Sequence, residues 1–254
     1  MKSKIYESYR IVKQYKRWNN ILPPEEVIKG IIEFNFRDNR GKSMLDLGVG
    51  TGRTTNYFAP LFEKYIGVDF SEAMINSCRR RYVRQPNSRF EICDVLDMPD
   101  FGMNFDFIFF SFQGIDCLSS DQERIQLIGK VKTLLKPGGI FAFSSHSTAG
   151  LEKLYSFQMP RRNPFRIITE FLRYRKIRRM NGSIDQYLDK DFVRLYDGGE
   201  NFLIQVGYIK PSSQLLQLQD AGFKRISVMD RSGNYITVSK IDQCRETVLY
   251  YICQ

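Results

Sequence analysis

Three carboxylates and three glycines carry the first chemical signal in this chain. Asp46, Asp69 and Asp94 each stand at or just after the end of a short apolar run, and Gly48, Gly50 and Gly52 follow the first of those runs in Met44-Leu-Asp-Leu-Gly-Val-Gly-Thr-Gly-Arg53. Glycines at such a turn leave bare backbone for a ligand to lie against, close to the start of a helix. A carboxylate at the end of the next strand, Asp69, can accept both hydroxyls of a ribose, and Asp94 can accept from an adenine amino group. The chemistry indicated is capture of a nucleotide-like ligand.

The pattern departs from two related loops. A dinucleotide-binding turn, G-x-G-x-x-G/A, would place Gly or Ala at position 53, where Arg53 stands, and Arg denies the close helix–strand approach that the third small residue allows. A phosphate-cradling loop closes on a Lys-Ser/Thr pair, and none follows these glycines. The only histidine, His146, lies in Phe143-Ser-Ser-His-Ser147 after another apolar run. Histidine titrates near pH 6.5, which makes His146 the candidate general base for an acceptor hydroxyl or amine.

These groups need a scaffold that gathers strand ends on one edge. Ser43–Leu47, Tyr65–Val68, Phe90–Cys93, Phe105–Phe110 and Ile140–Ser144 read as strands. Helices are expected between them. One runs from about Thr51 to Phe62, one is capped by Ser71 with Met74, Ile75, Cys78 and Tyr82 inward, and one opens at Ser120 with Leu127, Ile128, Val131, Leu134 and Leu135 inward. Lys136-Pro-Gly-Gly139 ends the last. This alternation predicts a parallel sheet of right-handed βαβ units, whose ligands bind at the carboxyl edge of the strands. Upstream, residues 1–20 suggest a helix or two, and Pro23-Pro-Glu-Glu26 opens another with Val27, Ile31 and Ile32 inward. Downstream, the rhythm breaks over residues 147–208. Phe165, Ile168, Phe171 and Leu172 recur at helical spacing in the basic stretch Arg161–Arg179, and Asp191–Leu195 and Phe202–Val206 flank Asp197-Gly-Gly-Glu-Asn201 like a hairpin. Pro211–Ala221 reads as a helix, and Lys224–Met229 and Thr247–Cys253 as strands that resume the sheet.

The 254 residues, 43% hydrophobic, suffice for a full core and exclude wholesale disorder. The net charge of +10 is uneven: residues 1–20 carry +5 and residues 161–180 carry +7, leaving the rest at −2. An electrostatic partner is therefore sought at those two segments. Five cysteines without a C-x-x-C pair fit a reducing compartment better than a disulfide framework or a zinc site. No apolar run approaches the ~20 residues of a membrane span, and the first residues lack the apolar stretch of a secretory signal. The expectation is a cytoplasmic protein with no metal site and no membrane span.

From Met44 to Ser147 the chain resembles the class I S-adenosylmethionine-dependent methyltransferases. The matching stretches are DLGVGTGR, YIGVDFSEAM, FEICDVLDM, FDFIFFSFQGIDCL and LLKPGGIFAFSSHS, in that family's order, and QLQDAGFKRISV with ETVLYYIC resembles its last helix and closing hairpin. The resemblance implies an α/β, Rossmann-like fold: a seven-stranded, mostly parallel sheet of order 3-2-1-4-5-7-6, strand seven antiparallel, with helices on both faces. It implies S-adenosyl-L-methionine as cofactor, with Asp46, Gly48, Gly50 and Gly52 along its methionine part. Asp69 would hold the ribose, Phe70 and Met74 would lie near the adenine, and Asp94 and Val95 would meet its rim. Ser111, Phe112 and Gln113 would face the sulfonium and the acceptor.

The organisation that follows is an N-terminal helical lid (1–40) and a core (41–147 and 209–254). A basic helix and hairpin insertion (148–208) would shape the acceptor site with Arg194, Tyr196 and Tyr208. Tyr6, Tyr9, Tyr15 and Trp18 lie in the basic first twenty residues of that lid, where the resemblance implies that a Tyr can touch the cofactor. The expected function is methyl transfer to an O or N atom of a small molecule such as a sugar, glycan precursor or secondary metabolite. Phe165, Ile168, Phe171 and Leu172 would then cover an apolar pocket while the arginines face solvent. Two alternatives stand beside it. One is a tRNA or cap-type RNA methyltransferase that grips nucleic acid through residues 161–180. The other is a non-catalytic cofactor-binding protein whose basic helix meets an acidic partner or an anionic membrane surface.

Overall fold

The computed structural model describes residues 5–157, 159 and 167–254. Arg161 and Phe165, named above, lie outside the described residues. Two helices come first, α1 (Tyr9–Arg17) and α2 (Pro23–Asn35). The alternating region follows as β1 (Ser43–Leu47), α3 (Thr55–Phe58), β2 (Lys64–Asp69), α4 (Glu72–Arg81), β3 (Ser88–Ile92), β4 (Phe105–Phe110), α5 (Asp121–Leu134) and β5 (Leu135–His146). Next come α6 (Leu151–Leu154), α7 (Ile167–Asn181), β6 (Phe192–Leu195), β7 (Val206–Ile209), α8 (Pro211–Asp220), β8 (Ile226–Met229), β9 (Tyr235–Ile236) and β10 (Val248–Cys253).

The main sheet has the order β3-β2-β1-β4-β5-β10-β8-β9. Strands β3, β2, β1, β4 and β5 are parallel, and β10 runs antiparallel between β5 and β8. With β8 and β10 as the sixth and seventh strands, this is the order the resemblance implies. The two-residue β9 adds an eighth strand at the edge, paired with β8. Alternation along the strands sends side chains to two cores. Leu45, Leu47, Ile108, Phe110, Phe141 and Phe143 meet Leu127, Ile128 and Val131 of α5 and Leu218 of α8. Met44, Phe107, Phe109 and Ala142 meet Ile28 and Ile32 of α2, Phe58 of α3, and Ile75 and Cys78 of α4.

Several expectations are corrected. In α2, Val27 and Ile31 pack half-buried against the core beside the fully buried Ile32, and Ile28, which the sequence reading left out, joins Ile32 inside it. The helix after the glycine turn is one α turn plus the 3-10 turn Ala59–Leu61, because Pro60 lacks the N–H that would continue it. β5 begins at Leu135 rather than Ile140, passing through Gly138 at φ 75° and an irregularity opposite β4. The β6–β7 hairpin forms a separate two-stranded sheet whose second strand is Val206–Ile209, not Phe202–Val206. Residues Glu200, Asn201 and Phe202 adopt φ of 47°, 57° and 65°, a left-handed path that no strand can follow. On α7, Ile168 and Leu172 are 69% and 58% exposed, so they do not cover an apolar pocket.

Candidate functional site

A cavity of about 340 Å³ opens at the carboxyl edge of the parallel strands. Gly48 and Gly50 form one wall, at φ 59° and 57°. A side chain at 48 would be strained there and would put its Cβ 2.8 Å from the Phe110 ring, so glycine is required by both backbone and space. Asp69 at the end of β2 faces the same space. Its Oδ2 accepts from Gly50 N at 2.9 Å and its Oδ1 from Ser71 N at 2.9 Å. Burial raises its pKa to about 6 against the opposing pull of those two N–H groups. Phe70, Met74, Asp94, Val95, Ser111 and Phe112 complete the part of the lining that the sequence singled out.

Not every nominated residue reaches the cavity. Asp46 is fully buried behind the glycine turn, where its Oδ2 accepts from Thr54 Oγ1 (2.7 Å) and Tyr65 Oη (2.6 Å). Its pKa is pushed up to about 6 by burial, and its Oδ1 has no hydrogen-bond partner among the described residues. Asp46 therefore braces the turn instead of lining the cavity. Gly52 is likewise outside the lining; a Cβ there would collide with Tyr82, whose hydroxyl bonds to Gly52 O. Gln113 turns away, its backbone N and Nε2 both donating to Ser144 Oγ at 2.9 and 3.1 Å. Phe112 and Gln113 both adopt left-handed φ, 53° and 57°, which swings Phe112 over the opening.

The aromatic N-terminal segment covers the cavity. Tyr6 and Tyr15 line it, while Tyr9 is 79% exposed and stays outside. Trp18 packs on Phe112 at a tilt of 50° with ring centres 5.1 Å apart, and Tyr6 meets Phe70 edge-on at 5.4 Å. Three polar ties hold this cover. Glu7 accepts from Glu72 N and Ala73 N at the start of α4 (2.8 and 3.1 Å). Tyr15 Oη donates to Glu200 Oε1 at 2.8 Å across 185 residues of sequence. Arg53 forms a bidentate pair with the buried Glu25 of α2, at 2.5 and 2.6 Å, and lies over the Phe112 ring. Burial raises the pKa of both Tyr15 and Glu200.

His146 ends β5 and is 14% exposed. It is not among the lining residues, but it is held beside them by Asp116, the neighbour of lining residue Cys117. Asp116 Oδ2 accepts from His146 N at 2.6 Å and lies 2.8 Å from His146 Nδ1, off the axis of a ring N–H, so that second contact is close but is not a well-directed hydrogen bond. His146 Nε2 lies 3.7 Å from Asp197 Oδ2. Tyr208 is buried, stacks on the imidazole with centres 4.6 Å apart, and donates to Asp197 Oδ2 at 3.3 Å. Tyr208 thus supports the histidine and does not face the cavity. The Tyr196 backbone is clamped by the buried Asn181 through two 2.9 and 2.8 Å bonds, and Arg194 donates to the carbonyls of Leu118 and Gln205. Neither Tyr196 nor Arg194 lines the cavity.

Sequence reading missed the network behind Asp116. Arg124 of α5 is fully buried and bonds to Asp116 Oδ1, Ser145 Oγ and Gln214 Oε1. Its place was legible, since it precedes Leu127 by three and Val131 by seven on the apolar stripe of α5. Glu25 and Glu200 carried no such signal, because acids at a helix start and in a Gly-Gly turn are ordinary there.

The residues present fit S-adenosylmethionine. Bare glycine backbone suits its amino-acid end, the buried Asp69 carboxylate its ribose diol, and Met74, Phe70, Val95 and Leu96 its ring. No Lys or Arg is among the lining residues, which suits a sulfonium cation. Among the described residues no cluster of three His, Cys, Asp or Glu is arranged to hold a metal ion.

Comparisons with known proteins agree. Residues 44–139 match the family described as a methyltransferase domain. The chain is 31% identical over 108 residues to a demethylmenaquinone methyltransferase of Clavibacter sepedonicus, covering 42% of each. It is 26% identical over 137 residues to a protein of Mycolicibacterium smegmatis named as a probable S-adenosylmethionine-dependent methyltransferase, covering 49% of this chain and 51% of that one. The chain thus spans about half the length of the curated relatives it matches. Among solved structures, the CcbJ methyltransferase of Streptomyces caelestis superposes with a TM-score of 0.65 at 18% identity, over 100% of this chain and 98% of that one, a likeness of fold.

Proposed function

We propose, from the premise that this chain carries a class I S-adenosylmethionine-dependent methyltransferase domain, that it transfers a methyl group to an O or N atom of a small molecule. The observation that carries this reading is the cavity that joins the glycine turn and Asp69 to an aromatic cover, with His146 at its margin. S-adenosylmethionine supplies a methyl carbon already activated as a sulfonium. The protein's part is to align the acceptor in line with that carbon and to remove its proton. In this reading Gly48, Gly50, Asp69, Phe70, Met74, Asp94, Val95, Ser111 and Phe112 hold the cofactor. Residues 1–40 act as lid, 41–147 and 209–254 as core, and 148–208 as the acceptor side.

His146 is the proton acceptor, acting through Nε2. Asp116 and Asp197 flank the ring, so a positive charge that develops on it meets a carboxylate on each side. Tyr208 fixes the ring plane by stacking. The aromatic cover keeps water from the reacting centre while Asp69 and the glycine turn hold the nucleoside. A cytoplasmic location and a freely diffusing acceptor belong to the same proposal.

The test is methyl transfer from labelled S-adenosylmethionine across sugars, amines, phenols and RNA. His146→Ala is expected to keep cofactor affinity and lower turnover at least about tenfold. Unchanged turnover with the accepted substrate would remove His146 from the mechanism. Labelling of RNA alone would favour the nucleic-acid reading, and cofactor binding with no labelled product anywhere in the panel would favour a non-catalytic binding protein.

A further inference from the structure

Helix α7 has two unlike sides. Glu170, Ile177 and Asn181, spaced i, i+7 and i+11, face the protein, and the last two are buried. Opposite them Ile168, Leu172, Arg175 and Arg179 repeat at i, i+4, i+7 and i+11, the spacing of one helix face. Ile168 and Leu172 are 69% and 58% exposed, and Arg175 and Arg179 are exposed beside them. Of the basic residues on the helix, only Arg173 has an acidic partner among the described residues, Glu170 at 2.9 Å.

Charge and shape together choose the occupant of this face. Residues 161–180 carry +7, which complements an anionic surface. Bare aliphatic side chains in line with arginines suit the boundary between lipid headgroups and acyl chains. Single-stranded RNA is held instead by stacking on open aromatic rings. Of the rings of this helix, Tyr174 is half-buried and Phe171 is 46% exposed, less than Ile168 or Leu172, and both meet Phe157 edge-on and each other at a tilt, with centres 6.2–6.5 Å apart, so neither presents a fully open face. We infer that α7 docks the protein on the surface of an anionic bilayer, with Ile168 and Leu172 entering the headgroup boundary and Arg175 and Arg179 meeting lipid phosphates.

The helix is firmly built into the protein. Ile177 packs into the apolar cluster of Leu154, Val193, Leu195 and Tyr208, and Asn181 clamps Tyr196, the residue before Asp197. Docking at α7 therefore fixes the acceptor margin relative to the membrane. No helix among the described residues is long and apolar enough to cross a bilayer.

Vesicle flotation of the full chain tests this without any call on catalysis, so its failure leaves the methyltransferase reading intact. Vesicles of phosphatidylcholine with about 30% phosphatidylglycerol are expected to bind about tenfold or more tightly than pure phosphatidylcholine, and high salt to weaken the binding. The pairs Ile168→Glu with Leu172→Glu, and Arg175→Glu with Arg179→Glu, lie on the exposed face. Each is expected to keep the wild-type melting temperature and lose about tenfold or more in vesicle binding. Equal binding to both lipid compositions, or wild-type binding by either folded variant pair, would overturn the proposal. So would a short RNA that displaces the protein from vesicles while binding the Ile168/Leu172 variant unchanged.

Discussion

The two margins of the cavity hold buried carboxylates in opposite ways. On the cofactor margin, Asp69 is satisfied by backbone N–H groups of its own and the adjacent turn, with no cation beside it, and its pKa is raised to about 6 by burial. On the side proposed to take the acceptor, Asp116 is paired with the buried Arg124 and shares it with Ser145 and Gln214. A carboxylate held by backbone dipoles keeps spare accepting capacity for a ligand. One held by a buried guanidinium is committed to structure, and it serves by positioning its neighbour His146. The first margin is built to bind, the second to be rigid.

Breaking Arg124 gives the largest expected effect. Arg124→Ala leaves Asp116 charged and buried without its partner, and should cost about 3–5 kcal/mol in urea-unfolding stability. Cofactor affinity of the folded fraction should hardly change, and a large loss of affinity would mean the two margins are not separate. Asp69→Ala should act the other way. It removes two charge-assisted bonds to the ribose and should weaken S-adenosylmethionine binding on the order of 100-fold by calorimetry. Its melting temperature without ligand should change little, since relief of a buried charge offsets the loss of the acceptor that Gly50 N and Ser71 N share.

The same contrast has a pH signature. Asp46 and Asp69 have folded pKa values raised to about 6, above the ordinary value near 3.9, so between those limits the native state binds more protons than the unfolded one. Their contribution to stability therefore improves as pH falls from about 6 towards 4. Ribose hydroxyls donate to the ionised form of Asp69, so cofactor affinity should be flat above pH about 6 and weaken below it, with a proton released on binding. Affinity that strengthens on acidification would contradict this role of Asp69. The smallest effect is expected at the cover. Tyr15→Phe removes its bond to Glu200 and should speed cofactor release about threefold in stopped-flow measurements, with little change in stability. An unchanged release rate would show that the N-terminal cover is not held by that contact.

How much was legible follows the same division. The cofactor margin lies within 44–95 and is built of local features: a glycine turn, strand ends and a helix cap. Gly48, Gly50, Asp69 and Asp94 could therefore be named from spacing, the family resemblance added Phe70, Met74 and Val95, and all line the cavity. Asp46 misled because it carries the same signature as Asp69, yet its pleat position turns the side chain inward to Thr54 and Tyr65. Gln113, Tyr196 and Tyr208 were sensible polar or aromatic choices, but their side chains or backbones are taken up by Ser144, Asn181 and His146. Glu200 reaches Tyr15 only because three successive residues adopt left-handed backbone, which a Gly-Gly turn does not announce.

By itself the sequence determined the parallel sheet and the glycine-turn half of the cavity, because strand alternation, glycine turns and caps act over a few residues and need no distant partner; the strand order came from the resemblance to a known family. Only the tertiary structure decided which acids face the ligand and which brace the fold. It also decided how Arg124 and Asp116 hold His146, and that α7 leaves Ile168 and Leu172 in solvent. Those outcomes depend on contacts between residues far apart in sequence, and on which groups are left over once every buried donor and acceptor has found its partner.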